Sequence, residues 1–191
     1  MNPSSREFFE QLYGTHPDPW QFRTSSYERS RYSEMLSVLG RERYVSTFEP
    51  GCANGEFTAL IAPRCDRLMA MDISAIAVAE ARRRCAAYPH VVIMQGDLKR
   101  SIAEGPFDLI IFSELGYYFE REDLAVICGH LSRRLAPGGE LVAVHWLGNS
   151  ADHRLHGDVV HEILRGNLGL KHQTESRYPE FRIDSWTTNA P

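Results

Sequence analysis

Short apolar runs alternate along this chain with longer stretches whose apolar residues recur at helical spacing. The runs are Tyr44 to Glu49, Arg67 to Asp72, Val91 to Gln95, Phe107 to Ser113 and Glu140 to Trp146. Such alternation predicts a parallel sheet covered by helices on both faces. The intervening helices are expected to start near Gly55, Ser74 and Glu122. Ser74 can cap a helix over Ala75 to Ala87, and Pro137-Gly138-Gly139 is expected to stop the helix ending at Leu135 before the fifth strand begins. A further helix from about Gly157 to Leu168 precedes two strand-like segments, Lys171 to Tyr178 and Phe181 to Thr187. Their connection, Pro179-Glu180, is too short for a crossover helix, so they should pair antiparallel. Before Tyr44, helices over Ser4 to Tyr13 and Tyr27 to Leu39 are expected to lie across the carboxyl edge of the sheet, where open α/β sheets bind ligands. The expectation is one α/β domain over residues 1–191, with five parallel strands, a C-terminal antiparallel hairpin, and residues 1–43 as a helical lid.

Bulk properties narrow the possibilities. A chain of 191 residues, 43% hydrophobic, can bury one sizeable core. A formal net charge of −4 supplies no long-range attraction for phosphate backbones, so no nucleic-acid partner is expected. The start, Met1-Asn2-Pro3-Ser4-Ser5-Arg6-Glu7, lacks the apolar core of a signal peptide, and no later run approaches a membrane span. A soluble, cytoplasmic protein is the expectation. Cys52, Cys65, Cys85 and Cys128 are scattered, which fits small buried residues rather than a disulfide or metal framework.

The candidate chemistry begins at Thr47-Phe48-Glu49-Pro50-Gly51-Cys52-Ala53-Asn54-Gly55-Glu56-Phe57-Thr58. An apolar run ends in a carboxylate, and small residues then alternate into a helix. Gly51, Ala53 and Gly55 put no bulky side chain at the turn, so a ligand could lie against main-chain N–H groups and the positive end of the next helix. A dinucleotide fingerprint needs glycine at the first, third and sixth positions, occupied here by Gly51, Ala53 and Glu56. Two of the three are missing, which argues against a dehydrogenase. Asp72 ends the next apolar strand about 20 residues on, where an acid can accept hydrogen bonds from both ribose hydroxyls. Gln95-Gly96-Asp97-Leu98 follows the third strand, and the fourth emerges at Ser113-Glu114 into the aromatic loop Tyr117-Tyr118-Phe119.

The pattern apolar-Glu-x-Gly-x-small-x-Gly, followed by Asp72 and Asp97 in order, resembles the class I S-adenosylmethionine (SAM) dependent methyltransferases. That resemblance implies their Rossmann-like seven-stranded sheet, SAM as cofactor and S-adenosylhomocysteine as product. It sets Glu49 under the loop facing the methionine half, Asp72 and Ile73 at the ribose, Asp97 and Leu98 at the adenine, and Ser113 and Glu114 beside the methyl group. Asp18-Pro19-Trp20, Ser26-Tyr27-Glu28-Arg29-Ser30-Arg31-Tyr32 and Glu114-Leu115-Gly116-Tyr117-Tyr118-Phe119 resemble the rhizobial nodulation protein S family, over roughly Asp18 to Val144. Members of that family methylate the amino group of a deacetylated glucosamine at the non-reducing end of a chitin oligosaccharide. By position, Trp20 would cover the cofactor and Arg31 would approach its carboxylate, to which a guanidinium fork is suited. After the fifth strand, His145-Trp146-Leu147-Gly148-Asn149 and Asp184-Ser185-Trp186 depart from the family pattern.

His145, His153, His156 and His161, with Asp152 and Asp158 nearby, have irregular spacing, so no metal is expected and they are read as lining a polar acceptor pocket or facing water. His145, at the end of the fifth strand, is the best placed for acid–base work. The expected reaction is direct displacement at the SAM methyl, with Glu114 or His145 accepting or orienting the acceptor proton and Tyr117 and Tyr118 shaping the methyl channel. The expected acceptor is a small molecule or oligosaccharide, first an amino sugar, second a small-molecule hydroxyl; a non-catalytic SAM-binding module is the reading from a different class. The sequence leaves the oligomeric state open.

Overall fold

Residues 5–189 are described by the computed structural model. The chain runs α1 (Arg6–Thr15), α2 (Ser26–Ser37), β1 (Thr47–Pro50), α3 (Glu56–Ile61), β2 (Leu68–Asp72), α4 (Ala75–Arg84), β3 (Val91–Gln95), β4 (Phe107–Ser113), α5 (Arg121–Ser132), β5 (Leu135–Trp146), α6 (Gly157–Asn167), β6 (Lys171–Arg177) and β7 (Phe181–Thr187). Seven strands form one sheet in the order β3-β2-β1-β4-β5-β7-β6. The first five are parallel, and β7 is antiparallel to both β5 and β6. The expected α/β sheet with a C-terminal antiparallel hairpin is therefore present, with β7 inserted between β5 and the edge strand β6.

Alternation along β4 explains the two layers. Ile110 and Phe112 enter the cluster beneath α5 and α6, while Leu109 and Ile111 enter the one beneath α2 and α3. All four are fully buried, and each buried side chain of this size stabilises the fold by about 1.5–3 kcal/mol. Asp108, the polar residue of the strand, accepts the N–H groups of Val45 and Ser46, both at 2.8 Å. That fixes the lead-in to β1, which is shorter than expected: Tyr44 makes only an isolated bridge to Cys65. The four cysteines are free and buried. Among the described residues no helix is long and apolar enough to cross a membrane.

Two boundaries differ instructively from the sequence expectation. The expected helix up to Leu135 ends at Ser132, and Leu135 already pairs with Phe107 as the first residue of β5. Pro137-Gly138-Gly139 is consequently a bulge inside a strand, not a helix stop. The register shifts there, Gly138 takes φ 70°, and a Cβ on Gly139 would lie 2.8 Å from the carbonyl oxygen of Ala136. Helix α4 ends at Arg84 rather than Ala87, with Arg82, Arg83 and Arg84 in its last turn, where cations suit the helix dipole.

The N-terminal helices lie over the carboxyl edge. Helix α1 starts at Arg6, and Ser4 of the expected span lies outside the described residues. Phe9 and Tyr13, four residues apart on one face, are buried in the main core cluster. Glu10, beside them, caps the neighbouring helix. Its carboxylate accepts the Ser74 hydroxyl at 2.9 Å and the N–H groups of Ala75 at 2.6 Å and Ile76 at 3.3 Å. Partial burial raises the Glu10 carboxyl, but these hydrogen bonds outweigh it and hold the group below its usual range. Replacing Glu10 by alanine should therefore loosen α1, lowering stability by about 1 kcal/mol and speeding amide exchange over Arg6–Thr15. Exchange unchanged from the parent protein would show that Phe9 and Tyr13 alone hold the helix.

Candidate active site

The turn after β1 depends on three residues with left-handed backbone: Gly51 at φ 73°, Ala53 at 49° and Gly55 at 79°. The two glycines also have close neighbours, with no room for a side chain at Gly55 and a tight fit at Gly51. A Cβ on Gly55 would sit 2.8 Å from Ala81 of α4, and one on Gly51 would sit 3.2 Å from Leu115. Four amides of the turn are already engaged within the protein. Gly51 and Cys52 donate to the Met71 carbonyl, Gly55 to that of Cys52, and Ala53 to Asp72 Oδ2. Small residues here allow close approach of backbone and ligand rather than supplying an array of donors.

Asp72 sits at the centre of this edge. Its second oxygen accepts the N–H of Ser74 at 2.9 Å, so one carboxylate ties the β1 turn to the start of α4. Burial pushes its carboxyl up to about 6, against the backbone hydrogen bonds that favour the charged form. Glu49 is pushed higher, to about 8, chiefly by burial and further by the Asp72 charge, and its Oε2 has no hydrogen-bond partner. Asp97 accepts the Lys99 N–H at 2.9 Å.

At the end of β4 the chain turns sharply, with Glu114 at φ 54°. Such a conformation costs roughly 1–3 kcal/mol in a residue other than glycine and persists only where contacts over-determine it. Here Glu114 Oε1 accepts the Trp146 N–H at 2.8 Å, and Oε2 accepts the Tyr117 hydroxyl at 2.6 Å. Arg31 lies 3.8 Å from Oε1. Burial, with Glu114 beside it, pushes the Tyr117 phenol well above its usual range, so it stays a donor. Tyr117 also stacks on His153, ring centroids 3.7 Å apart.

These elements enclose a cleft with about 850 Å³ of atom-free space including its open mouth. Trp20, Gly51, Ala53, Asp72, Ile73, Asp97, Leu98, Glu114 and Tyr117 line it, as the sequence reading grouped them. Glu49, Gly55 and Ser113 lie behind its wall. Arg31 is 1% exposed and lies behind the wall, where it donates to Ser113 Oγ at 2.9 Å and to Glu28, although its Nε has no partner. His145 is wholly buried and does not reach the cleft, because its Nε2 accepts the Gly116 N–H at 3.0 Å. His156 is structural too, accepting the Asp158 N–H at the start of α6, with Nε2 2.7 Å from the Leu147 carbonyl. The sequence reading missed Glu28, Phe9, Tyr13 and Phe22 on the cleft wall. The i, i+3 spacing of Glu28 and Arg31 and the i, i+4 spacing of Phe9 and Tyr13 were the available signals.

A sheet in this order, with carboxylates at the ends of β1, β2 and β3, is the fold of SAM-dependent methyltransferases. The chain belongs to the nodulation protein S (NodS) family, whose model matches residues 7–151. It is 36% identical over 127 residues to nodulation protein S of Rhizobium tropici and 34% identical over 127 residues to that of Bradyrhizobium diazoefficiens. Each match covers 65% of this chain but only 53% and 61% of the relative, so the chain spans little more than half the length of these proteins. A candidate methyltransferase of Pseudomonas syringae is similar at 39% identity, TM-score 0.77, over 85% of this chain and 99% of that one. The N-methyltransferase NodS of Bradyrhizobium japonicum WM9, solved with S-adenosylhomocysteine, shares the fold at TM-score 0.86 and 24% identity, over 98% and 99% of the two chains.

The raised Glu49 carboxyl has a consequence for stability. An acid whose folded pKa exceeds its unfolded value binds more protons when folded, so stability falls as pH rises from about 4.5 to about 8. Glu49→Gln should therefore match the parent near pH 4.5 and exceed it by a few kcal/mol above pH 8 in the ligand-free protein. Parallel stability curves for the two proteins across that range would contradict the upward shift of the buried Glu49 carboxyl.

Proposed function

We propose that this protein binds SAM in the cleft and transfers its methyl group to the amine of a deacetylated amino sugar. The strand order supports the cofactor assignment, because neighbouring strand ends β3, β2, β1 and β4 would meet adenine, ribose, methionine and acceptor in sequence. Asp97 with Leu98 would hold the adenine, Asp72 with Ile73 the ribose, and the Gly51, Ala53 and Gly55 turn above Glu49 the methionine half. The buried, unpartnered Glu49 oxygen and the close backbone approach at Gly51 fit a bound group at this point. SAM supplies an activated methyl on a sulfonium, which aromatic faces such as Tyr118 and Trp20 stabilise by about 0.5–2 kcal/mol. Residues 1–43 act as the lid of a single domain, with Phe9, Tyr13 and Trp20 excluding water.

The observation that carries the amine is the charge balance at the β4 end of the cleft. Glu28 and Glu114 both line it and share the single guanidinium of Arg31. Burial outweighs the pull of Arg31 and holds the Glu28 carboxyl above its usual range. With both acids ionised, two negative charges face one positive charge, which favours an ammonium group or an amine N–H over a second anion. Glu114, held by Tyr117 and the Trp146 N–H, accepts that N–H and orients the nitrogen lone pair towards the methyl. Arg31 holds the two carboxylates, and Ser113 holds Arg31. His145 supports the turn behind Glu114.

Calorimetry should detect S-adenosylhomocysteine binding in the micromolar range, about −8 kcal/mol. Asp72→Ala should weaken it by roughly 1.5–3 kcal/mol, and an unchanged dissociation constant in a folded mutant would remove Asp72 from the site.

The acceptor is tested by turnover of a chitooligosaccharide with one free terminal amine against its fully acetylated counterpart. Only the free amine should be methylated, and Glu114→Gln should lower turnover about a hundredfold or more with little change in cofactor affinity. Equal turnover of both sugars, or methylation of a phenol alone, would overturn the amine assignment.

A further inference from the structure

Three polar residues, His145 on β5, His161 on α6 and Asp184 on β7, are fully buried and touch neither the cleft nor water. Their protons are set by one backbone group. Because the Gly116 N–H donates to His145 Nε2, that nitrogen carries no hydrogen, and a neutral His145 must hold its proton on Nδ1. Nδ1 lies 3.2 Å from His161 Nε2, which therefore accepts and leaves the His161 proton on Nδ1. This last nitrogen lies 3.3 Å from Asp184 Oδ2, a charge contact whose angle makes no hydrogen bond, and Arg182 grips the carboxylate at 2.9 and 2.8 Å.

The surroundings favour neutral imidazoles. Arg31 from α2, His153 from the loop after β5 and Tyr117 from the Gly116–Tyr118 turn face His145. Asp158 of α6, Asp184 and Arg182 of β7 face His161, and His172 of β6 lies 3.6 Å from the Asp184 carboxylate. Burial pushes both imidazoles down, His145 well below its usual range.

At the other end of the row the fit is tight. A Cβ on Gly116 would come 2.4 Å from Val160 Cγ1 and 2.9 Å from His145 Nε2, so the turn is pressed onto α6 and β5. Gly116 lies between Glu114, in its left-handed conformation, and Tyr117, which hydrogen-bonds it. We propose that His145, His161 and Asp184 are positioning residues, a row hydrogen-bonded in one direction from the Gly116 N–H through His145 to His161 and closed by the charge of Asp184 beside His161 Nδ1, which fixes the Gly116 turn and so aims the Glu114–Tyr117 pair at the acceptor. His161 and Asp184 lie beyond the residues 7–151 matched by the family model. The expected loss of turnover rests on the methyl-transfer reading, whereas the arrangement of protons does not.

Nitrogen-15 NMR of the full chain should find His145 and His161 neutral from about pH 7 to 8, with the proton on Nδ1. Asp184→Asn can turn its amide towards His161 and reverse the row, placing a proton on His145 Nε2 against the Gly116 N–H. In that variant, with folding checked by its melting transition, Gly116 amide exchange should speed up about tenfold or more, and kcat should fall by a similar factor while S-adenosylhomocysteine affinity holds. Arg182 keeps Glu175 at 3.0 Å, which supports folding. Should the variant fail to fold, His145→Gln and His145→Leu provide the comparison, because only glutamine can still accept from Gly116 and it should retain faster turnover and slower Gly116 exchange. A proton on His145 Nε2 in the parent, titration of His145 within that range, or unaltered Gly116 exchange and kcat in folded Asp184→Asn would each overturn the proposal. If the parent transfers no methyl group to any acceptor, the methyl-transfer reading fails separately, and the tautomers and Gly116 exchange still decide the row.

Discussion

The carboxylate of Asp72 is the constraint on which the ligand-binding edge depends. It accepts N–H groups from Ala53 in the β1 turn and Ser74 at the start of α4, so two loops that would otherwise move independently share one anchor. Gly55, pressed against Ala81, brings the turn onto the same helix. The N–H groups of Gly51 and Cys52 satisfy the Met71 carbonyl and that of Gly55 the Cys52 carbonyl, which holds the turn in shape. Two raised acids remain beneath it, because burial there outweighs the hydrogen bonds that would keep them charged.

The N-terminal helices complete the cleft through a few polar contacts. Glu10 caps α4, and Asp18 accepts Phe22 N–H at 2.9 Å and Asn54 Nδ2 at 3.3 Å, linking the segment before α2 to the β1 turn. Arg31 is buried because it holds Glu28, Ser113 and Glu114 together. A buried guanidinium with two carboxylates is tolerable where one alone would cost several kcal/mol.

The C-terminal third works differently. Its sheet contribution, β7 between β5 and β6, places Asp184 and Arg182 opposite β5 and under α6. Polar side chains there join strands and helix, where aliphatic ones would pack more simply. Glu175 and Asp184 also come close to His172, but their charge is met by Arg165 and Arg182.

Much of the fold was legible because it is written in local pattern. Short strand-like runs gave β3, β4 and β7 their expected bounds, and the Ser74 cap placed the start of α4. Pro137-Gly138-Gly139 misled because a turn signal cannot distinguish a helix stop from a strand bulge; only the pairing partner, Phe107, decides. The order of acids after β1, β2 and β3 made the cleft legible in the same way, since topology carries strand ends to one edge. The sequence by itself determined the sheet, its direction and the residue types at that edge, because periodicity and spacing act between near neighbours. Which way Arg31 points, whether the β1 turn's amides are free, and that His145 faces Gly116 rather than the cleft were decided only by tertiary structure. Those are contests between groups distant in sequence for the same hydrogen bonds, and the winner depends on which of them the packed core brings within 3 Å.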